Sequence, residues 1–254
     1  MSMFGRQLFS RGIHTVPKLP GISQLLDSGI PHVMSANTFK TCWVDQQQFL
    51  CDKLTLASAG TAAESYLPFH LVLHTAKKSY QTSIFNLASA LHNNHLFIEN
   101  ILPMEQVTHP SREFLQKLES QYSMTWDAFK DEMVRRAEED VLGQGWLFLV
   151  ENEAKELHIL TVQNNGTPYY FARNQSFDLN SALSLEEMEQ FVTMRDLLAA
   201  NADVKDWTMP LIAISLWDHS YLNDYGIKGR STYVRKCLDN LNWSAVNNRL
   251  FSTQ

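Results

Sequence analysis

Ser215-Leu216-Trp217-Asp218-His219-Ser220-Tyr221 continues an apolar run, residues 211–216 (LIAISL), that starts directly after Pro210. The run reads as a buried strand, and the residues after it set an acid beside an imidazole where the strand ends. Two chemistries use such a pair. In a hydrolase, Asp218 and His219 need a nucleophile, and Ser215 or Ser220 could supply the hydroxyl. No G-x-S-x-G elbow and no oxyanion glycine array surrounds them, which argues against that reading. In a metal centre, His219 is a good donor, but the uncharged hydroxyl of Ser215 binds a divalent or trivalent cation poorly.

The flanking sequence supplies the rest of a small sheet. Residues 146–151 (WLFLVE) and 157–163 (LHILTVQ) are short β-rich runs joined by the polar residues 152–156, the pattern of a hairpin, and residues 211–216 add a third strand. Residues 232–250 read as one closing helix. Ahead of the sheet, residues 32–56 carry Val33, Phe39, Trp43, Phe49 and Leu50 on one broad helical face. Between 71 and 101, Leu73, Leu87, Leu91 and Phe97 recur at helical spacing until Pro103 stops them, so the front half reads as a helical hairpin. Residues 111–140 open with Ser111 and Glu113 and suit two short helices through Phe114, Leu118, Trp126, Phe129 and Met133, with Gly143 and Gly145 ending that region. Ser184 and Glu187 form a capping-box pattern at the start of a further acidic helix, an insertion at about 176–207. The expected architecture is α+β: an N-terminal arm (1–26), a helical hairpin domain (27–110) and a C-terminal α/β domain (111–254) with a three-stranded antiparallel sheet.

Composition narrows the class. With 44% hydrophobic residues, 14 Phe and 6 Trp, the 254-residue chain can build a sizeable core. Polar or charged residues interrupt every apolar stretch before it reaches membrane-spanning length, so no membrane association is expected. Cys42, Cys51 and Cys237 are odd in number and lack C-x-x-C spacing, which suggests free thiols in a reducing compartment. Residues 1–26 contain Arg6, Arg11 and Lys18 and no acid, and Phe4, Leu8 and Phe9 share one helical face. This is the composition of a mitochondrial transit peptide, a plain basic tail being the other reading. The net charge of −6 disfavours a surface that coats nucleic acid. Positive charge is nonetheless concentrated near the C-terminus in Lys228, Arg230, Arg235, Lys236 and Arg249, the expected place for any RNA contact. His70 and His74, and His92 and His95, have spacings that can share a helical face. Neither pair comes with an H-E-x-x-H pattern, and surface or capping roles suit them better than a metal site. Trp43, Phe49, Trp146, Phe148 and Trp217 are read as core.

Several short motifs, taken in order, resemble the iron/manganese superoxide dismutase family. His14 to Pro20 resembles its N-terminal His-Thr-Leu-Pro-x-Leu-Pro, and Asn93 to Pro103 its Asn-His-x-x-Phe-Trp-x-Asn-Leu-x-Pro. Gly143-Gln144-Gly145-Trp146 resembles its Gly-Ser-Gly-Trp, and residues 215–221 its Asp-x-Trp-Glu-His-Ala-Tyr, whose Asp and His bind the metal. Asn242-Trp243 extends the likeness to nearly the whole chain. The resemblance implies that the metal-ligand positions are degenerate. Counted without a gap from Pro31-His32, the first ligand histidine falls on Thr41, the proton-relay histidine on Asp45 and the gateway tyrosine on Phe49. The second ligand falls on Asn94, with His95 about 100° away round the helix, the third on Ser215, and only His219 is kept. The family's glutamine standing behind the metal ligands falls near Asn165.

Such a set implies a superoxide dismutase fold without metal, cofactor or enzyme activity. Ligand-free members of this fold are proteins of the small ribosomal subunit in fungal mitochondria, where two related chains associate. The chain is similar to that group, which implies a structural role in mitochondrial translation in the matrix. The implied partners are ribosomal proteins, a related superoxide dismutase-like chain paired through Asp218 and His219, and limited rRNA. A superoxide dismutase with atypical ligation is the alternative.

Overall fold

The computed structural model describes residues 14–75, 81–104, 106–169 and 208–250. The insertion expected at about 176–207 and the first thirteen residues of the N-terminal arm lie outside the described residues.

The front half is helical. After α1 (Ile22–Ser28), the chain turns sharply at Gly29, whose φ of 73° and close approach to the Met34 carbonyl leave no room for a side chain. Ser35 then caps α2 (Ala36–Phe39), its hydroxyl accepting from the Thr38 N–H. Helix α2 runs through a π-helical turn (Lys40–Asp45) into α3 (Gln46–Ser58). The expected helix over 32–56 therefore starts later, because residues 30–34 are spent on a tight turn closed by an Ile30–Met34 bridge. α5 (Thr82–Ile101) returns against α3, and α4 (Pro68–Thr75) packs on α5.

Two capped helices follow. Ser111 caps α6 (Arg112–Tyr122) and Thr125 caps α7 (Trp126–Glu139), each hydroxyl accepting a backbone N–H three residues on. The sheet is β1 (Gly145–Asn152), β2 (Leu157–Gln163) and β3 (Thr208–Ser215), antiparallel in the order β2-β1-β3. Strand β1 is central and buried from Gly145 to Glu151, which accounts for its unbroken apolar run. Its start is a close approach: a side chain on Gly145 would strike the Val162 carbonyl. Strand β3 begins before Pro210. The proline is tolerated because β3 pairs on one side only, within the described sheet, and the register shifts at Leu149/Val150 beside it.

After β3 come α8 (Asp218–Tyr225), α9 (Arg230–Asp239) and α10 (Trp243–Leu250). The single closing helix expected over 232–250 is thus broken at 240–242. There Asn242 donates its backbone N–H to the Asn100 carbonyl and its side chain accepts from Ala245, capping a new helix. The main apolar core draws on residues from both halves, including Phe39, Trp43 and Phe97 with Phe129, Phe148 and Ile212. A second cluster lies between α3, α4 and α5 around Leu54, Leu71 and Phe85.

Candidate metal centre and interaction surface

Strand β3 delivers Ser215 to the interior, fully buried and opposite Trp146 of β1. Its hydroxyl lies 2.7 Å from that of Ser220 in α8, and it accepts the Trp217 N–H at 3.3 Å. The oxygen is already engaged in a neutral network. His219, on the first turn of α8, is partly buried against Trp217, with ring centroids 5.8 Å apart. Burial lowers its pKa, and Asp218 offsets that only in part, so the imidazole is neutral near pH 7.

On α5, Asn94 is buried and donates its amide N–H to the Cys42 carbonyl at 2.8 Å. Thr41 is elsewhere. Its side chain is exposed, and the hydroxyl donates back to the Asn37 carbonyl at 3.1 Å. The residue turned inward at this level is Cys42, with no exposed area and with Sγ 3.7 Å from Met34 Sδ. The gap-free count follows sequence position alone; within the π-helical turn over Lys40–Asp45 it is Cys42 that faces inward and Thr41 that faces solvent. Phe49 is likewise on the surface, 53% exposed with Lys53 over its ring, contrary to its reading as core. Asp45 is exposed. Ser215 meets Ser220, His219 packs on Trp217, and Asn94 meets Cys42. No hydrogen bond between described residues joins Asn94 or Cys42 to Ser215, Ser220 or His219.

These donors do not fit the iron or manganese that the family resemblance implies. Asn94 and Ser215 offer neutral oxygens, and the Cys42 thiol, pushed up to about 12 by burial, is protonated. Among the described residues no three His, Cys, Asp or Glu side chains converge on one point. One neutral imidazole cannot replace the several imidazole or anionic donors that such a cation needs. The paired histidines are also used otherwise: His92 Nε2 lies 2.6 Å from Tyr169 OH, His95 lies 3.6 Å from Glu99, and His74 stacks on Tyr66. His70 is exposed beside Phe69.

Asp218 faces a different partner, one that sequence reasoning missed. Gln144 donates Nε2–H to Asp218 Oδ2 at 2.6 Å and accepts the Asp218 N–H at 3.0 Å, while Tyr221 OH donates to Oδ1. The signal available was a polar residue held between Gly143 and Gly145 at the head of the central strand. These residues line an open groove of about 610 Å³ with Glu138, Leu222 and Arg230, and Leu142 and Ile227 stand at it 91% and 84% exposed.

The five basic residues divide in two. Arg230 donates to the Val141 and Gly143 carbonyls and to Tyr221 OH. Arg235 pairs with Asp131 and Asp239. Arg249 is largely buried, bonded to Glu99 at 2.6 Å, to Asn100 Oδ1 and to the Leu211 carbonyl. These three expected RNA contacts are occupied within the fold, because their planar guanidinium groups satisfy several oxygens at once. Lys228 and Lys236 are exposed and form no ion pair among the described residues, Lys236 lying over the Tyr225 ring.

Comparison with known proteins agrees with this architecture. Small ribosomal subunit protein mS43 of Schizosaccharomyces pombe is 24% identical over 242 residues, spanning 93% of this chain and 84% of the relative. Small ribosomal subunit protein mS42 of the same organism is 28% identical over 191 residues, 74% of this chain and 76% of the relative. The chloroplastic iron superoxide dismutase 2 of Oryza sativa subsp. japonica is 25% identical over 231 residues, 90% of this chain and 75% of the relative. The profile of the iron/manganese superoxide dismutase C-terminal domain matches residues 110–179 and 181–249, more than half of the chain. With the helices-then-sheet order and the Trp-Asp-His strand end in place, the chain belongs to the iron/manganese superoxide dismutase family.

Proposed function

We propose that this protein is a structural, non-catalytic constituent of the small ribosomal subunit of mitochondria, supporting translation in the matrix. The observation that carries the proposal is the near full-length similarity to small ribosomal subunit protein mS43, supported by mS42. The composition of residues 1–26, basic and free of acids, supports the compartment. The neutral donor set around Ser215 and Asn94 supports a non-catalytic role, since it suits hydrogen bonding and not a redox metal.

Within the subunit, the chain pairs with a related superoxide dismutase-like chain through the surface around Asp218 and His219. The exposed Leu142 and Ile227 supply apolar contact there, and Asp218 and Gln144 supply a preorganised polar centre. Any rRNA contact runs through Lys228 and Lys236, whose ammonium groups are free of ion pairs among the described residues. The test is sedimentation of a tagged full-length chain from mitochondrial extract. Co-migration with the small subunit is the expected result, and migration as a free small protein rejects the proposal.

The second reading, a superoxide dismutase with atypical ligation, is motivated by the retained His219 and the similarity to iron superoxide dismutases. Metal analysis of the purified protein separates the two. Far less than one iron or manganese per chain is expected, together with no dismutation.

A further inference from the structure

Asn165-Gly166 is the one Asn-Gly pair in the sequence, and it comes directly after β2. Asparagine is chemically labile, and a following glycine makes it most so, because no Cβ shields the backbone nitrogen that attacks the side-chain carbonyl. In an open chain the Gly166 nitrogen forms a bond to Asn165 Cγ. The side-chain nitrogen leaves as ammonia, taking the proton from the glycine N–H, and a cyclic imide remains. Water then adds to either imide carbonyl and leaves aspartate at position 165 or its β-linked isomer. No other reactant is needed.

The folded chain opposes each step of this reaction. The Gly166 N–H donates to the Gln163 carbonyl at 3.1 Å, so the nitrogen must give up a hydrogen bond before it can lose its proton. Attack also requires the Asn165-Gly166 peptide to turn toward the asparagine side chain. Anchors on both sides resist that turn. The Asn164 N–H donates to the Gln144 carbonyl at 2.8 Å, at the head of β1. From α5, Asn93 Nδ2 and the Ser89 hydroxyl both donate to the Gly166 carbonyl, at 2.7 Å and 3.1 Å. Ser89, Asn93 and Gly166 are buried, so lifting the loop off α5 strips polar groups of partners inside the protein.

We propose that Asn165 is a site of spontaneous modification that the fold keeps silent. The pair reacts in chains whose 163–166 loop is detached from α5, and it is spared once the helical half has closed on the sheet. Folding does not reverse the damage. The β-linked product lengthens the backbone by a methylene between the anchor at Gln144 and the anchor at Ser89 and Asn93, so the two no longer fit together. A chain that stays open therefore loses the ability to close. This inference is independent of the ribosomal reading.

The experiment incubates the purified full-length chain at mildly alkaline pH, folded in one arm and unfolded in guanidinium chloride in the other. Mass spectrometry follows the peptide that contains position 165, with the β-linked isomer separated by chromatography. Conversion is expected in the unfolded chain and at least about tenfold more slowly in the folded one, where only local opening exposes the pair. Comparable rates in the two arms, or no conversion in the unfolded chain, overturn the proposal. Ser89→Ala tests the anchor on α5: it should speed the folded reaction about two- to fivefold and leave the unfolded rate unchanged. No increase in the folded rate overturns the role given to α5. Should the variant fail to fold, the two arms of the unaltered chain decide.

Discussion

Ser215 shows how one residue changes the chemistry of an inherited site. Its hydroxyl is buried against Ser220 and compensated by neutral groups alone. A carboxylate there would lack a cation, so Ser215→Asp is expected to destabilise the protein by at least about 2 kcal/mol at pH 7. Burial would raise the pKa of the new acid, so the loss should shrink as pH falls toward 4, when the side chain protonates in both states. Urea denaturation at the two pH values measures this. His92 gives the opposite dependence. Burial pushes its pKa down to about 3, with neighbouring charge from His95 and Arg249 adding to the shift. The folded state thus resists a proton that the unfolded chain accepts near pH 6.5, so its full contribution is present above that value and is lost as pH falls toward the folded pKa. Between pH 7 and 5, His92→Gln should lose about 2 kcal/mol less stability than the parent, by urea midpoints at each pH. At this scale the residue types Ser215, Asn94 and His219 were legible. That Thr41 points outward was not, because the π-helical turn over Lys40–Asp45 departs from the regular helical spacing by which a sequence is read.

Asn100 ties three elements together. From α5 it donates to the Leu211 carbonyl and accepts the Ala213 N–H of β3, and Arg249 of α10 donates to the same oxygen. Asn100→Leu would leave the Ala213 N–H without its acceptor and remove one bond each from the Leu211 carbonyl and the Arg249 guanidinium, which keep their bond to each other. A loss of about 2–4 kcal/mol is expected by chemical denaturation, unlike the near-neutral effect of an exposed asparagine. Capping behaves more simply: Thr125→Ala removes the oxygen that accepts the Ala128 N–H and should cost about 1 kcal/mol. The strands, the hairpin and the two capped helices could be read from apolar runs and cap residues, because those signals are local. The break between α9 and α10 could not, since Asn242 caps the second helix while held to the Asn100 carbonyl, far away in sequence.

On the scale of the whole molecule, two side chains at the groove around Asp218 carry little of the fold. Leu142 and Ile227 are almost wholly exposed, so Leu142→Glu with Ile227→Glu should leave the thermal midpoint within about 2 °C of the parent. If this surface pairs with a related chain, the same double variant should weaken association at least about tenfold in analytical ultracentrifugation with that partner. A loss of folding stability in place of association would assign these side chains to the fold itself.

Sequence alone determined the α+β order, most of the apolar core though not the place of Phe49, and the residue types at the expected donor positions, because residue type and short-range periodicity carry that information. Tertiary structure alone decided which of those residues meet. It placed Cys42 inward and Thr41 outward, occupied Arg230, Arg235 and Arg249 inside the fold, and set Gln144 on Asp218. The reason is physical: each of these outcomes depends on a hydrogen-bond partner or packing surface from a distant part of the chain, which is fixed only when the helices and sheet close on a common core.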